Sequence, residues 1–113
     1  MSSVTIGLAS LDDSLERARR ALTGEAQGNF IGFASHELML KTLTAKRWEL
    51  LRAMAGAGPM SIREASRRVN RDVKSVHGDV QTLLKAGVVD KLEDGRVSFP
   101  FDEIHVDFVV RAA

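Results

Sequence analysis

The sequence contains no cysteine, which excludes disulfides and thiolate metal sites. It lacks any apolar run long enough to cross a bilayer and any basic start followed by an apolar stretch of the secretory kind. The expected compartment is therefore the cytoplasm, and no membrane is expected as a partner. Only two prolines occur, Pro59 and Pro100, and each falls where a regular element should stop. Gly56-Ala57-Gly58 is not followed by Gly-Lys-Ser/Thr, so it reads as a helix stop and not as a phosphate cradle. The histidines, His36, His77 and His105, have no metal-ligand spacing. No Ser-His-acid set lies on a recognisable catalytic turn. No catalytic residue, metal or cofactor is expected, and the chain does not read as an enzyme.

What is present suits one small domain with an added arm: 113 residues, 44% hydrophobic and 27% charged. The net charge of +1 hides a segregation. From Lys41 to Lys91 eleven Lys and Arg residues face only Glu49, Glu64, Asp72, Asp79 and Asp90, and the flanks are net negative. A basic centre points to a polyanionic partner.

Residues 1–9 read as frayed or extended. Ser10 looks like a cap for a helix with acids first (Asp12, Asp13, Glu16) and arginines last (Arg17, Arg19, Arg20), the order that complements the helix dipole. Leu8, Leu11, Leu15, Ala18 and Leu22 form its apolar stripe, and Gly24 ends it. Phe30 to Phe33 reads as a short strand. Ser35 caps a short helix with Leu38, Leu40 and Leu43 as inward candidates. Thr44 caps the next helix, with Trp48, Leu51 and Ala55 on the buried face and Leu50 and Met54 at its edges. Ser61-Ile62-Arg63-Glu64 is a capping box, with Ile62, Ala65 and Val69 inward. Asn70-Arg71 makes a turn and Asp72 caps a further helix whose core stripe is Val73, Val76, Val80, Leu83 and Leu84. Gly87 is a left-handed stop. Val88 to Leu92 and Val97 to Phe99 form a hairpin around Glu93-Asp94-Gly95-Arg96. Asp102 to Val110 alternates, with Ile104, Val106, Phe108 and Val110 on a face expected to be well buried.

This order predicts an α+β fold: a winged helix-turn-helix with an N-terminal helical arm and a C-terminal strand. Residues 1–34 form the arm (helix plus short strand) and residues 35–113 the winged domain with the C-terminal strand. The small Ala65 permits close approach of two helices. The outer face of the second carries Lys74, Ser75, His77, Gly78, Gln81 and Thr82, flexible polar groups suited to a major groove. Ser61, Arg63, Arg67, Arg68 and Arg71 sit where backbone phosphates would lie, and Arg96 at the hairpin tip is placed for phosphate or minor groove. The expected partner is double-stranded DNA, and the expected function is transcriptional regulation, most simply repression. A winged-helix protein–protein adaptor is the alternative from another class.

The segments Leu43-Thr44-Ala45-Lys46-Arg47-Trp48-Glu49-Leu50-Leu51, Pro59-Met60-Ser61-Ile62-Arg63-Glu64-Ala65 and Arg71-Asp72-Val73-Lys74-Ser75-Val76-His77, with Asp79-Val80 and Asp102-Glu103-Ile104, resemble prokaryotic MarR-like winged-helix regulators. More narrowly they resemble a group of small DNA-binding proteins, some of which look like antitoxins. The resemblance covers roughly residues 33–108. It implies operator binding and, for an antitoxin, autoregulation and a toxin protein as a second partner. Gly78 departs from the pattern, since a basic residue is expected there. Because one recognition helix gives little specificity, a homodimer is expected. Leu11, Leu15, Leu22, Phe30, Phe33, Val106 and Phe108 are its candidate interface, formed if 30–33 and 104–110 pair with each other; the arm could instead bind a partner protein.

Overall fold

A computed structural model describes residues 2–9, 11–24, 29–107 and 112, without the side chains at 11, 13 and 14. Of the two readings of residues 1–9, frayed or extended, the extended one holds: they supply a central strand, β1 (Ser3–Leu8). Val4 and Ile6 alternate with Ser3, Thr5 and Gly7, and both are buried. β-Branched residues at period two suit a pleated surface with one face against a core. Helix α1 (Leu11–Leu22) follows, then β2 (Asn29–Phe33). β1 pairs in parallel with β2 on one side and with β5 (Glu103–Asp107) on the other. Parallel neighbours cannot be joined by a tight turn, and α1 makes the crossover. Residues 30–33 and 104–107 therefore do not pair with each other as expected: β1 lies between them, with Ile6 opposite both Ile31 and Val106, and residues 108–110 lie outside the described residues.

Between β2 and β5 the chain folds α2 (His36–Thr42), α3 (Ala45–Met54), α4 (Ile62–Val69), α5 (Val73–Lys85) and the hairpin β3 (Asp90–Lys91)–β4 (Val97–Ser98). Each of the four helices starts at a polar cap. Ser35, Thr44, Ser61 and Asp72 accept from the amides of Leu38, Arg47, Glu64 and Ser75, satisfying donors that have no partner inside the helix. α5 ends as expected at Gly87, which has φ +76°. The Val88 amide donates to the Leu83 carbonyl (2.9 Å) and the Gly87 amide to the Leu84 carbonyl (3.1 Å), the double bond of a Schellman stop. The hairpin is shorter than expected, and a third segment extends it. Met60 and Val97 exchange both backbone hydrogen bonds just before α4 begins.

One core joins sheet and helices: Val4, Ile6 and Phe33 cluster with Met39, Leu43, Leu50, Leu51, Met54, Val76, Val80, Leu83 and Phe99. Several inward assignments shift. In α2 the buried residues are Met39 and Thr42, followed by Leu43, while Leu38 and Leu40 are exposed. Residues 39 and 43 share a helical face that 38 and 40 straddle. In α3, Leu50, Leu51 and Met54 are fully buried and Trp48 only half-buried. Val73 lies in the first turn of α5 and is 40% exposed. Phe33, read as an interface residue, is consumed by the chain's own core. Val106, expected on a well-buried face, is 47% exposed: β5 pairs with β1 alone among the described residues, and the core reaches this edge at Ile104 but leaves Val106 open.

Candidate nucleic-acid interface

The turn between α4 and α5 is built by local bonds. Asn70 adopts the left-handed conformation (φ 54°, ψ 50°), which asparagine tolerates better than most residues. The buried Ser66 holds the next residue from both sides: its hydroxyl donates to the Arg71 carbonyl and its carbonyl accepts from the Arg71 amide. Asp72 then caps α5, its carboxylate accepting from the Ser75 amide at 2.9 Å.

Three charged side chains fix how α5 sits on the helices before it. Asp79, on α5, accepts from Arg47 Nε at 3.0 Å and from Arg71 Nη2 at 2.8 Å. Arg47 also donates to the carbonyls of Thr42 (3.0 Å) and Lys41 (3.3 Å) at the end of α2, where the helix dipole favours a cation. All three side chains are largely buried. Arg71, read from sequence as a phosphate contact, is therefore a bracing residue. Its Nη1 is buried without a hydrogen-bond partner, so Asp79 is what balances its charge. Reading the sequence missed both Asp79 and Arg47. The available signal was that Asp79 is the only acid in α5.

The outward face of α5 presents Lys74, Ser75, His77 and Gly78 to solvent, with Gln81 and Thr82 half-buried beside them. Arg63, on the first turn of α4, has no acid partner among the described residues, as is the case for the exposed Lys74. Other predicted contacts are engaged within the chain. Arg67 and Arg68 both pair with Glu64, which lowers the Glu64 carboxyl, chiefly through Arg67. Glu64 is thereby diverted from the Ser61 amide that a complete capping box would give it; Ser61 makes its half of the box, 3.1 Å from the Glu64 amide. At the hairpin tip Arg96 Nε lies 2.6 Å from Asp94. Of the candidate interface set, Leu15 and Leu22 are exposed and Phe30 is half-buried under Arg17. Leu11 and Phe108 lie outside the described side chains. Among the described residues no three His, Asp or Glu side chains converge as metal ligands, and no helix is long and apolar enough to cross a membrane.

The cap of α5 carries a pH signature. The Ser75 amide, with its hydroxyl, holds the Asp72 carboxyl below its ordinary 3.8. A depressed carboxyl contributes fully above its unfolded value, and the contribution is lost as pH falls through the lowered one. Asp72→Asn keeps an acceptor at the cap and removes the titration. Its urea midpoint is expected to fall less steeply than that of the wild type below about pH 4. Superimposable acid limbs for the two proteins would remove Asp72 from the account of acid stability.

The described residues define a small α+β protein with five helices and a few short strands, an arrangement compatible with a winged helix. The chain belongs to the HVO_A0114 family, whose family model matches residues 42–106, from the end of α2 into β5. No curated protein and no solved structure matches the chain.

Proposed function

We propose that this protein binds double-stranded DNA as a winged helix-turn-helix transcriptional regulator, a repressor in the simplest case. In this reading α5 enters the major groove, α4 lies across the backbone, and the β3–β4 hairpin is the wing. One observation carries the proposal: the exposed face of α5 holds no acid. Its single carboxylate, Asp79, is turned inward onto Arg47 and Arg71, leaving Lys74, Ser75, His77 and Gln81 for base edges and phosphates. An adaptor surface has no need of that sorting, whereas a surface laid against DNA gains from it, since each phosphate repels a carboxylate and attracts a cation. Arg63 and Lys74, which have no acid partner among the described residues, serve as backbone contacts. Arg68 and Arg96 reach phosphate by exchanging Glu64 and Asp94 for it, a swap that surface ion pairs permit because they are weak. No catalytic group is assigned.

Selection of bound duplexes from a random pool tests this reading. The wild type is expected to enrich a defined sequence. Gln81→Ala and His77→Ala are each expected to relax preference at one or two base positions, by about 1–3 kcal/mol for every bond to a base edge that the substitution removes. Enrichment unchanged in both variants would remove α5 as the reading element.

A further inference from the structure

Judged by its described side chains, α1 is the least covered helix of the fold. Of its described side chains only Arg17 is half-buried, stacked 3.9 Å over the Phe30 ring. Leu15 is 59% exposed, Leu22 is 89% exposed, and Ala18 between them is exposed as well. A 12-residue helix is marginal in water on its own propensity and normally draws its stability from packing an apolar face. A crossover helix in a parallel sheet ordinarily supplies that packing against the strands. Here Leu15, Ala18 and Leu22 are left to solvent, and their cover has to come from elsewhere.

The stripe specifies what that cover is. Positions 11, 15, 18 and 22 are spaced four, three and four apart, so the pattern reads the same in either direction about a point between Leu15 and Ala18. The charges are arranged the other way, acidic at the start of the helix and basic in the last turn. Turned end over end onto itself, the helix sets Leu15 against Ala18 of the second copy and Asp12 beside Arg19 of the second copy. Asp12 is exposed and has no ion-pair partner among the described residues; Arg19 is exposed too but holds Glu16 of its own helix at 2.6 Å, a surface pair weak enough to be shared with a second carboxylate. Apolar and charged patterns are thus both self-complementary, which is what a two-fold interface requires, and spacings of three and four are those of a helix–helix seam. An unrelated partner helix would demand neither symmetry.

We infer that two copies of this chain associate through antiparallel packing of their α1 helices across a two-fold axis. Residues 11–22 lie outside the segment matched by the family model, so this interface is a property of this chain's own arm. The inference stands apart from DNA binding and is tested without DNA. Each helix is about 18 Å long, short for a standard interface of about 1,600 Å², so association in the micromolar range is expected.

Sedimentation equilibrium of the full chain over roughly 1–200 µM is expected to give a mass rising from 12.4 kDa to twice that value. Leu15→Lys is expected to remain monomeric with an unchanged far-UV circular dichroism spectrum, because the site is already exposed. Asp12→Arg is expected to weaken association about tenfold. Orientation is read by oxidation, since the chain has no cysteine of its own. A mixture of Leu15→Cys and Ala18→Cys proteins is expected to cross-link, and Leu22→Cys alone is not, its two sulfurs lying about 16 Å apart along an antiparallel pair. A wild type that stays monomeric throughout overturns the inference. So does a Leu22→Cys cross-link forming as fast as the mixed one, because that signals parallel packing.

Discussion

Replacing Asp79 by alanine is expected to cost about 3–5 kcal/mol, the range for removing one partner of a buried ion pair. The variant leaves the Arg47 and Arg71 guanidiniums largely buried without a carboxylate, and Arg71 Nη1 already has no acceptor. Against a total stability of about 5–15 kcal/mol, that is enough to unfold a large fraction of the molecules at moderate temperature. Urea unfolding should show a lower midpoint with an unchanged slope. Asp79→Asn, which keeps an oxygen acceptor for one guanidinium, should lose less. The triple replacement Arg47→Met, Asp79→Leu, Arg71→Met distinguishes stability from placement. An apolar substitute for a buried ionic cluster is often neutral or stabilising, so this protein should fold. It should still bind duplex less well, because the directional bonds tying α5 to α2 and α3 are gone. An Asp79→Ala midpoint equal to that of the wild type would contradict the bracing role.

The second large effect concerns charge on the exposed face. Arg63 and Lys74 are cations beside that face that, among the described residues, have no acid partner to give up on binding. A hydrogen bond to a charged group contributes about 1.5–3 kcal/mol. The double variant Arg63→Ala, Lys74→Ala should therefore raise the Kd for duplex by about two to four powers of ten. Its melting temperature should stay close to that of the wild type, since neither side chain supports the fold. Arg67→Ala is the internal comparison: this side chain is engaged with Glu64 and should cost less. Equal losses for the two proteins would mean that intrachain pairing does not decide which cations bind phosphate.

Much of the helical unit was legible because it is written in local chemistry. Ser35, Thr44, Ser61 and Asp72 each announced a helix start, and Gly87 announced a stop. The stripe Val76, Val80, Leu83 set the orientation of α5, which in turn placed Lys74, Ser75 and His77 outward. The sheet was less legible. Val4 and Ile6 carry the alternation of a strand, but six residues at a terminus reveal nothing about their partners. Parallel pairing joins segments distant in sequence, here Ser3 with Glu103, and no turn motif marks it. The role of Arg71 was misread for a related reason. An arginine beside a recognition helix suits a phosphate contact, and only the folded position of Asp79, eight residues on, shows that the charge is already taken. Leu38 and Leu40 were misassigned because a seven-residue helix is too short for its period to separate the face holding Met39 from its flanks.

The central claim, that the face built by α4, α5 and the hairpin is laid against DNA, is tested most directly by measuring duplex affinity of the full chain as salt is raised. Binding that neutralises phosphates releases condensed counterions, and log K falls by about 0.9 per neutralised phosphate for each tenfold rise in salt. With about four phosphates neutralised per chain, affinity should fall by about two powers of ten between 50 and 200 mM salt. The Arg63→Ala, Lys74→Ala protein should show a slope shallower by about two units. An affinity that does not change with salt, or no duplex bound at the lowest salt, would contradict the account.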